Sequence, residues 1–206
     1  MKTYHGNTYA PIWLIGDSAP SHWIDVLEHP FDQRHPAVHN IWTPIIYRIQ
    51  RYIYKKKSVI IDDEENRFFI KNAVSQDNKK PARDIEIWDK YIDLNSELID
   101  MKNSIEKYNP KMVITFGTFA FEFIRRCYIL KKDLWYKYGH WGAKNLGEIF
   151  IKNIKDKEII IPLLHISISN GNWLSSHKQF KNNENGNYFD FVALNLYERI
   201  IDVLNL

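Results

Sequence analysis

Four short runs of consecutive apolar residues, each closed by a glycine or a polar residue, constrain this chain more than any other feature. They are Ile12–Gly16 (IWLIG), Arg67–Val74 (RFFIKNAV), Lys111–Gly117 (KMVITFG, launched by Asn109-Pro110) and Glu158–Ser167 (EIIIPLLHIS). Runs of this length, rich in Ile, Val and Phe and lacking a polar alternation, suit strands buried on both faces. Helical patterns lie between them, and that alternation predicts a mainly parallel sheet. Val38, Ile41, Ile45, Ile49 and Tyr52 recur at helical spacing, and Pro44 predicts a helix that begins near it. Asp84 to Tyr108 reads as one long helix with Ile87, Tyr91, Leu94, Leu98 and Ile105 on one face. Thr118 reads as the N-cap of a helix over FAFEFIRRCYIL, just after a glycine that lets the third strand turn sharply. The last helix is NYFDFVALNLYERIIDVLNL. Two basic stretches, Lys55–Lys57 and Lys152–Lys157, read as solvated loops or hairpin ends. The expectation is an α/β fold: one domain over residues 1–206, a three-layer α/β/α sandwich around a four-stranded, mainly parallel sheet.

Composition narrows the function classes. With 206 residues, 45% of them apolar, the chain can bury a sizeable core, which argues against disorder. A single cysteine, Cys127, excludes an intrachain disulfide, a Cys-ligated zinc site and a four-cysteine iron–sulfur cluster. It also fits a reducing compartment, and with no apolar leader in MKTYHGNTYAP the expected location is cytoplasmic, with no membrane contact. The net charge of +3 and an aromatic share of 15% are compatible with a nucleic-acid partner without requiring one. His22, His29, His35 and His39 crowd one segment, but only His35 and His39 have i,i+4 spacing, and Pro36 interrupts it. No metal and no cofactor is expected.

In a parallel α/β sheet, ligands bind outside the carboxyl ends of the strands. Here those ends carry Gly16-Asp17, Asn72, Gly117, and His165 with Ser167. In that order they resemble the motifs of the uracil-DNA glycosylase superfamily. Gly16, Asp17 and Pro20 match its first motif, a strand ending in Gly followed by an acidic or amide residue and a proline. Asn72 in FFIKNAV matches the strand-terminal Asn that reads the base. VITFGTFAFEF resembles the third strand, which passes through Gly into a helix. His165 and Ser167 in LLHISIS match the closing His-x-Ser segment. The likeness is collinear from about Trp13 to Trp173.

The resemblance implies hydrolysis of the N-glycosidic bond of a flipped base, leaving an abasic site. Flipping costs a few kcal/mol. The sugar then gains oxocarbenium character while the departing base becomes anionic. A carboxylate stabilises the first and orients water. A donor on the base oxygen stabilises the second, and losing such a donor costs ~10²–10³ in rate. Asp17 and His165 are thereby the expected catalytic pair. Asn72 and Gly16 would contact the base, and Ser18, Ser167 and Ser169 the flanking phosphates. Trp173 or Leu174 would wedge into the vacated stack, with Lys178 near the backbone. No lysine takes a catalytic place in these motifs, so the implied enzyme is monofunctional, without a lyase step.

Some positions depart from the family pattern. Pro20 sits one residue further from Gly16 than in the cluster-bearing branch, and the last motif has Ile166 where Pro is usual. The base-stacking Phe falls on Ala37, with Phe31, His35 and Trp42 as nearby substitutes. A missing stacker leaves room for a bulkier base, such as a hypermodified base of phage DNA. Repair and anti-phage defence both stay open. The expected partner is DNA, double- or single-stranded, bound by a monomer.

The same residues have plainer readings. Asp17 also reads as a cap for the following helix, His165 as a satisfied core histidine, Asn72 as a turn-closing residue and Trp173 as a ring packed on the last helix. Two rival functions use the same chain. One is a Gly-Asp-Ser esterase with Ser18 as nucleophile, for which an Asp-x-x-His near the C-terminus is needed and absent: only His177, Asp190 and Asp202 lie there. The other is a non-catalytic nucleic-acid-binding domain of the same fold.

Overall fold

The structure is a computed structural model that describes residues 4–17, 43–61, 67–74, 94–129, 131–165 and 172–206. The expected residues Ser18, Phe31, Trp42, Ser167 and Ser169 lie outside these, as do Pro20, Ala37, the four clustered histidines and the segment 84–93. The strands are β1 (Tyr4–Gly6), β2 (Ile12–Gly16), β3 (Phe68–Asn72), β4 (Met112–Phe116) and β5 (Ile160–Leu163). The helices are α1 (Thr43–Lys57), α2 (Leu94–Tyr108), α3 (Thr118–Tyr128), α4 (Ala143–Lys155), α5 (Asn172–Phe180) and α6 (Tyr188–Leu204). A 3₁₀ turn, Lys132–Leu134, follows α3.

The sheet runs β1-β3-β2-β4-β5. The four strands anticipated from the apolar runs are mutually parallel, and β2 is at their centre, pairing with both β3 and β4. A fifth strand, β1, joins β3 antiparallel at the edge and extends the expected four-stranded sheet.

Alternate residues of each strand feed two cores. Ile12, Leu14, Phe68, Ile70, Met112 and Ile114 join side chains of α1, α4 and α6 on one face. Trp13, Ile15, Phe69 and Val113 meet α2 and α3 on the other. Because both faces are covered, β2 and β4 are buried along their whole length, which is why their sequences lack a polar alternation. The result is helices on both sides of an α/β sheet.

Local signals explain the helix ends. Pro44 sits in the first turn of α1, where its missing N–H would have no intrahelical partner. The basic stretches are not loops: Lys55–Lys57 and Lys152–Lys155 form the last turns of α1 and α4, where cations complement the negative helix end. Asn109 and Asn205 end α2 and α6 with φ of 49° and 54°, a left-handed conformation that Asn tolerates. Gly147, inside α4, lies so near α5 that a Cβ there would stand 1.9 Å from the Phe180 carbonyl oxygen. A glycine costs helix stability of about 1 kcal/mol at such a position, and here it lets two helix backbones touch.

Candidate active site

The chain goes from β2 to β3 on one side and then crosses back over β2 to β4 on the other. Strand order therefore reverses between β2 and β4, and in open α/β sheets the crevice at that reversal is the usual ligand site. The residues at that end are Gly16, the last of β2, Asp17 just after it, and Gly117 after β4. β2 and β3 stay paired beyond their strands: Ala73 N donates to Gly16 O at 2.8 Å and Val74 N to Asp17 O at 3.2 Å. This register places Asn72 beside Gly16, so closely that a Cβ on Gly16 would lie 2.5 Å from Asn72 Oδ1. On the other side Gly117 N donates to Leu163 O at 2.8 Å, which carries the chain from β5 toward His165.

Gly117 is the hub of the arrangement. Its φ of 97° is a conformation that side chains rarely adopt. A Cβ built there would stand 2.8 Å from His165 Cβ and 3.6 Å from Asp17 Oδ1. Asp17 and His165 thus flank one glycine from two sides. The separation between that oxygen and His165 Cβ cannot exceed the sum of those two lengths. Only a residue without a side chain fits between them.

Asp17 is buried, with 7% of its surface exposed, and its Oδ1 accepts the Ala120 N–H at 3.1 Å. Ala120 is the third residue of α3. The N-cap of α3 is Gly117, not Thr118 as the sequence suggests, and it has no side chain to offer. The carboxylate of Asp17 supplies the cap from a strand end 103 residues away. So Asp17 does cap a helix, but not the one that follows it. A carboxylate at a helix N-terminus is held by the positive end of the helix dipole as well as by the hydrogen bond. Position and chemistry are compatible here, since a fixed carboxylate next to a partly exposed histidine can orient water or stabilise a developing cation.

His165 is partly buried, two residues beyond β5. The residue before it is anchored, because Leu164 N donates to Tyr188 Oη at 2.9 Å. Tyr188 is fully buried at the start of α6, and burial pushes its phenol well above the ordinary range, so it stays protonated. Against its ring, 4.3 Å away, stacks His177 of α5. No local sequence signal marks either residue as a support for the site.

Burial, with a smaller contribution from the Lys181 ammonium, pushes His177 down from 6.5 to about 4. The unfolded chain takes up a proton below its ordinary value, whereas the folded one resists until about 4, so stability falls as the pH drops through that window. His177→Phe keeps a ring against Tyr188 and removes the proton site. Its thermal midpoint is expected to fall less than the wild type's between pH 6.5 and 4. Parallel curves for the two proteins would reject the assignment.

Asp17 and His165 thus stand on either side of Gly117, and Asn72 lies against Gly16 at the neighbouring strand end. Neither family models nor curated proteins match this chain. The remaining expected residues are placed elsewhere or lie outside the described set. Leu174 and Lys178 are exposed on α5, one turn apart on one face, with Leu174 64% exposed. Trp173 belongs to the same helix, its side chain outside the described residues. Lys71 alternates to the Phe69 face of β3, away from the face Asn72 takes. Cys127 is pushed up to about 12 by burial, and its thiol donates to Phe123 O at 3.3 Å, so it offers no nucleophile. The acids that a serine esterase would need are engaged on the surface, Asp190 with Arg48 at 2.8 Å and Asp202 with Lys157 at 3.0 Å. Among the described residues, no group of three His, Cys, Asp or Glu could hold a metal, and no helix is long and apolar enough to cross a membrane.

Proposed function

We propose that this chain is a monofunctional DNA glycosylase, a divergent member of the uracil-DNA glycosylase superfamily without an iron–sulfur cluster. The observation that carries the reading is the convergence of Asp17 and His165 on Gly117 where the strand order reverses, with Asn72 packed on Gly16 beside them. Three chemical roles need three residue types in one crevice. Asp17 stabilises the oxocarbenium-like sugar and orients the attacking water. His165 donates to the oxygen of the departing base, and Asn72, which can donate and accept, reads the base edge. Ser18, Ser167 and Ser169 belong to the phosphate contacts of this reading, and Phe31 or Trp42 to the base pocket. The substrate is a uracil or a modified, bulkier base, removed in repair or in defence against phage.

The test is a panel of DNAs containing uracil, mismatches, deaminated purines, or hydroxymethylated and glucosylated cytosine. Mass spectrometry of the supernatant and alkali cleavage of the strand read the products. A free base with an alkali-labile site from one of these DNAs is the expected result. DNA binding with no base released from any of them would leave a non-catalytic domain of the same fold.

A further inference from the structure

After α3 the chain turns back along the helix that carries it out of the site. Trp135 Nε1 donates to Ile129 O at 2.9 Å near the end of α3. Tyr136 N donates to Glu122 Oε1 at 2.8 Å, two turns nearer the start. Thr118 Oγ1 then donates to Tyr138 O at 3.0 Å and accepts from Trp141 N at 3.2 Å. Thr118 is the residue after Gly117, so this return segment ends against the rim of the candidate site. Its inward side packs on α3: Tyr138 is buried between Phe119 and the Arg126 guanidinium, and Trp141 Nε1 donates to Glu122 Oε2 at 2.9 Å.

The outward side is of a different kind. Tyr136 is 45% exposed and its ring lies parallel to that of His140, with centroids 4.2 Å apart and planes 11° from each other. The stretch that carries this pair, KKDLWYKYGHWGAK, has Lys131, Lys132, Lys137 and Lys144 and one acid of its own, Asp133, while Lys144 faces Glu148 of α4 at 3.9 Å. All four lysines are exposed. The Arg125 guanidinium lies over the Tyr136 ring, 4.9 Å from its centroid. Both rings also meet the half-buried Trp141 edge-on, at 5.0 and 4.8 Å, and neither belongs to the buried core, so packing holds the pair in place while its outward side stays exposed in a lysine-rich segment. An unpaired polynucleotide strand suits such a surface: bases stack on exposed π-faces while phosphates meet the lysines, and such stacking tolerates any base.

We propose that residues 131–144 form a track for an unpaired stretch of DNA, with a base stacking on Tyr136 and His140 and the flanking phosphates on Lys131, Lys132 and Lys137. Its role of leading the strand away from the flipped nucleotide rests on the function proposed above; the binding itself does not. The test is fluorescence anisotropy with a labelled oligothymidylate over a range of salt concentrations. Tyr136→Ala is expected to weaken binding by about 5- to 100-fold with the salt slope unchanged, and Tyr136→Phe to restore it. Replacing Lys131, Lys132 and Lys137 by Gln is expected to flatten the slope by about 2, as loss of three phosphate contacts to a single strand requires. Unchanged affinity in a folded Tyr136→Ala variant would overturn the proposal, as would a blunt duplex bound as tightly as the single strand, or oligouridylate bound more tightly than oligothymidylate. Base release is scored on separate aliquots. Binding that depends on Tyr136 without any release removes the glycosylase and keeps the track. Release with binding indifferent to Tyr136 does the reverse.

Discussion

Asp17→Asn is expected to lower base release by about 10³-fold while leaving the thermal midpoint nearly unchanged. The two parts of this result separate two jobs of one side chain. As a cap, Asp17 uses Oδ1 to accept from Ala120 N. Asn has an oxygen in the same place, and Asn is as good a capping residue as Asp. As a catalyst, the side chain must carry negative charge toward the sugar and accept a proton from water, and an amide does neither. Asp17→Ala removes both jobs and is expected to cost about 1 kcal/mol of stability on top of the activity. Single-turnover base release and thermal unfolding, measured on the same preparations, read the two effects. Full activity in Asp17→Asn would reduce Asp17 to a helix cap and take the glycosylase mechanism with it. A large loss of stability in the Asn variant would instead show that the dipole's hold on the charge dominates.

The sheet was the legible part of this sequence, for a physical reason. A strand buried on both faces must be apolar at every position, so IWLIG and MVITF announce themselves without any knowledge of their neighbours. β1 has three residues and no pattern, and its place at the edge comes from pairing with β3 alone. α4 is hidden in AKNLGEIFIKNIK because Gly147 breaks its helical signal, and the need for that glycine lies on another helix, at Phe180. The candidate site divides in the same way. Its residues lie at strand ends, which the runs locate. Their grouping depends on strand order, which no run encodes. That Asp17 caps α3, or that Tyr188 supports the turn into His165, depends on contacts between residues far apart in the chain. The segment 131–144 shows the opposite case: its alternation of lysines and aromatics is visible in the sequence, and only the burial of Tyr138 beside the exposure of Tyr136 tells packing from surface.

Glu122→Gln is expected to be the most destabilising conservative change in the described fold, about 3 kcal/mol, or roughly 6–12 °C in midpoint for a chain of this size. Glu122 is fully buried in α3, and its two oxygens receive donors from every side. Oε2 accepts from Arg125 Nε at 2.8 Å and Trp141 Nε1 at 2.9 Å. Oε1 accepts from Tyr136 N at 2.8 Å, Arg126 Nε at 3.2 Å and Arg125 Nη2 at 3.3 Å. A glutamine keeps the volume but turns one acceptor into an NH₂ that faces other N–H groups, whichever way the amide flips. It also leaves two largely buried guanidinium groups without their buried counter-charge, and that penalty exceeds the loss of the hydrogen bonds themselves. The damage has a location, because the same carboxylate ties residues 136 and 141 to α3. Amide exchange is therefore expected to rise across 131–142 while β2 and β4 stay protected, and strand binding to fall along with it. A midpoint within 2 °C of the wild type would mean that the arginines find water or other acceptors, and that the return segment is held by its ring contacts instead.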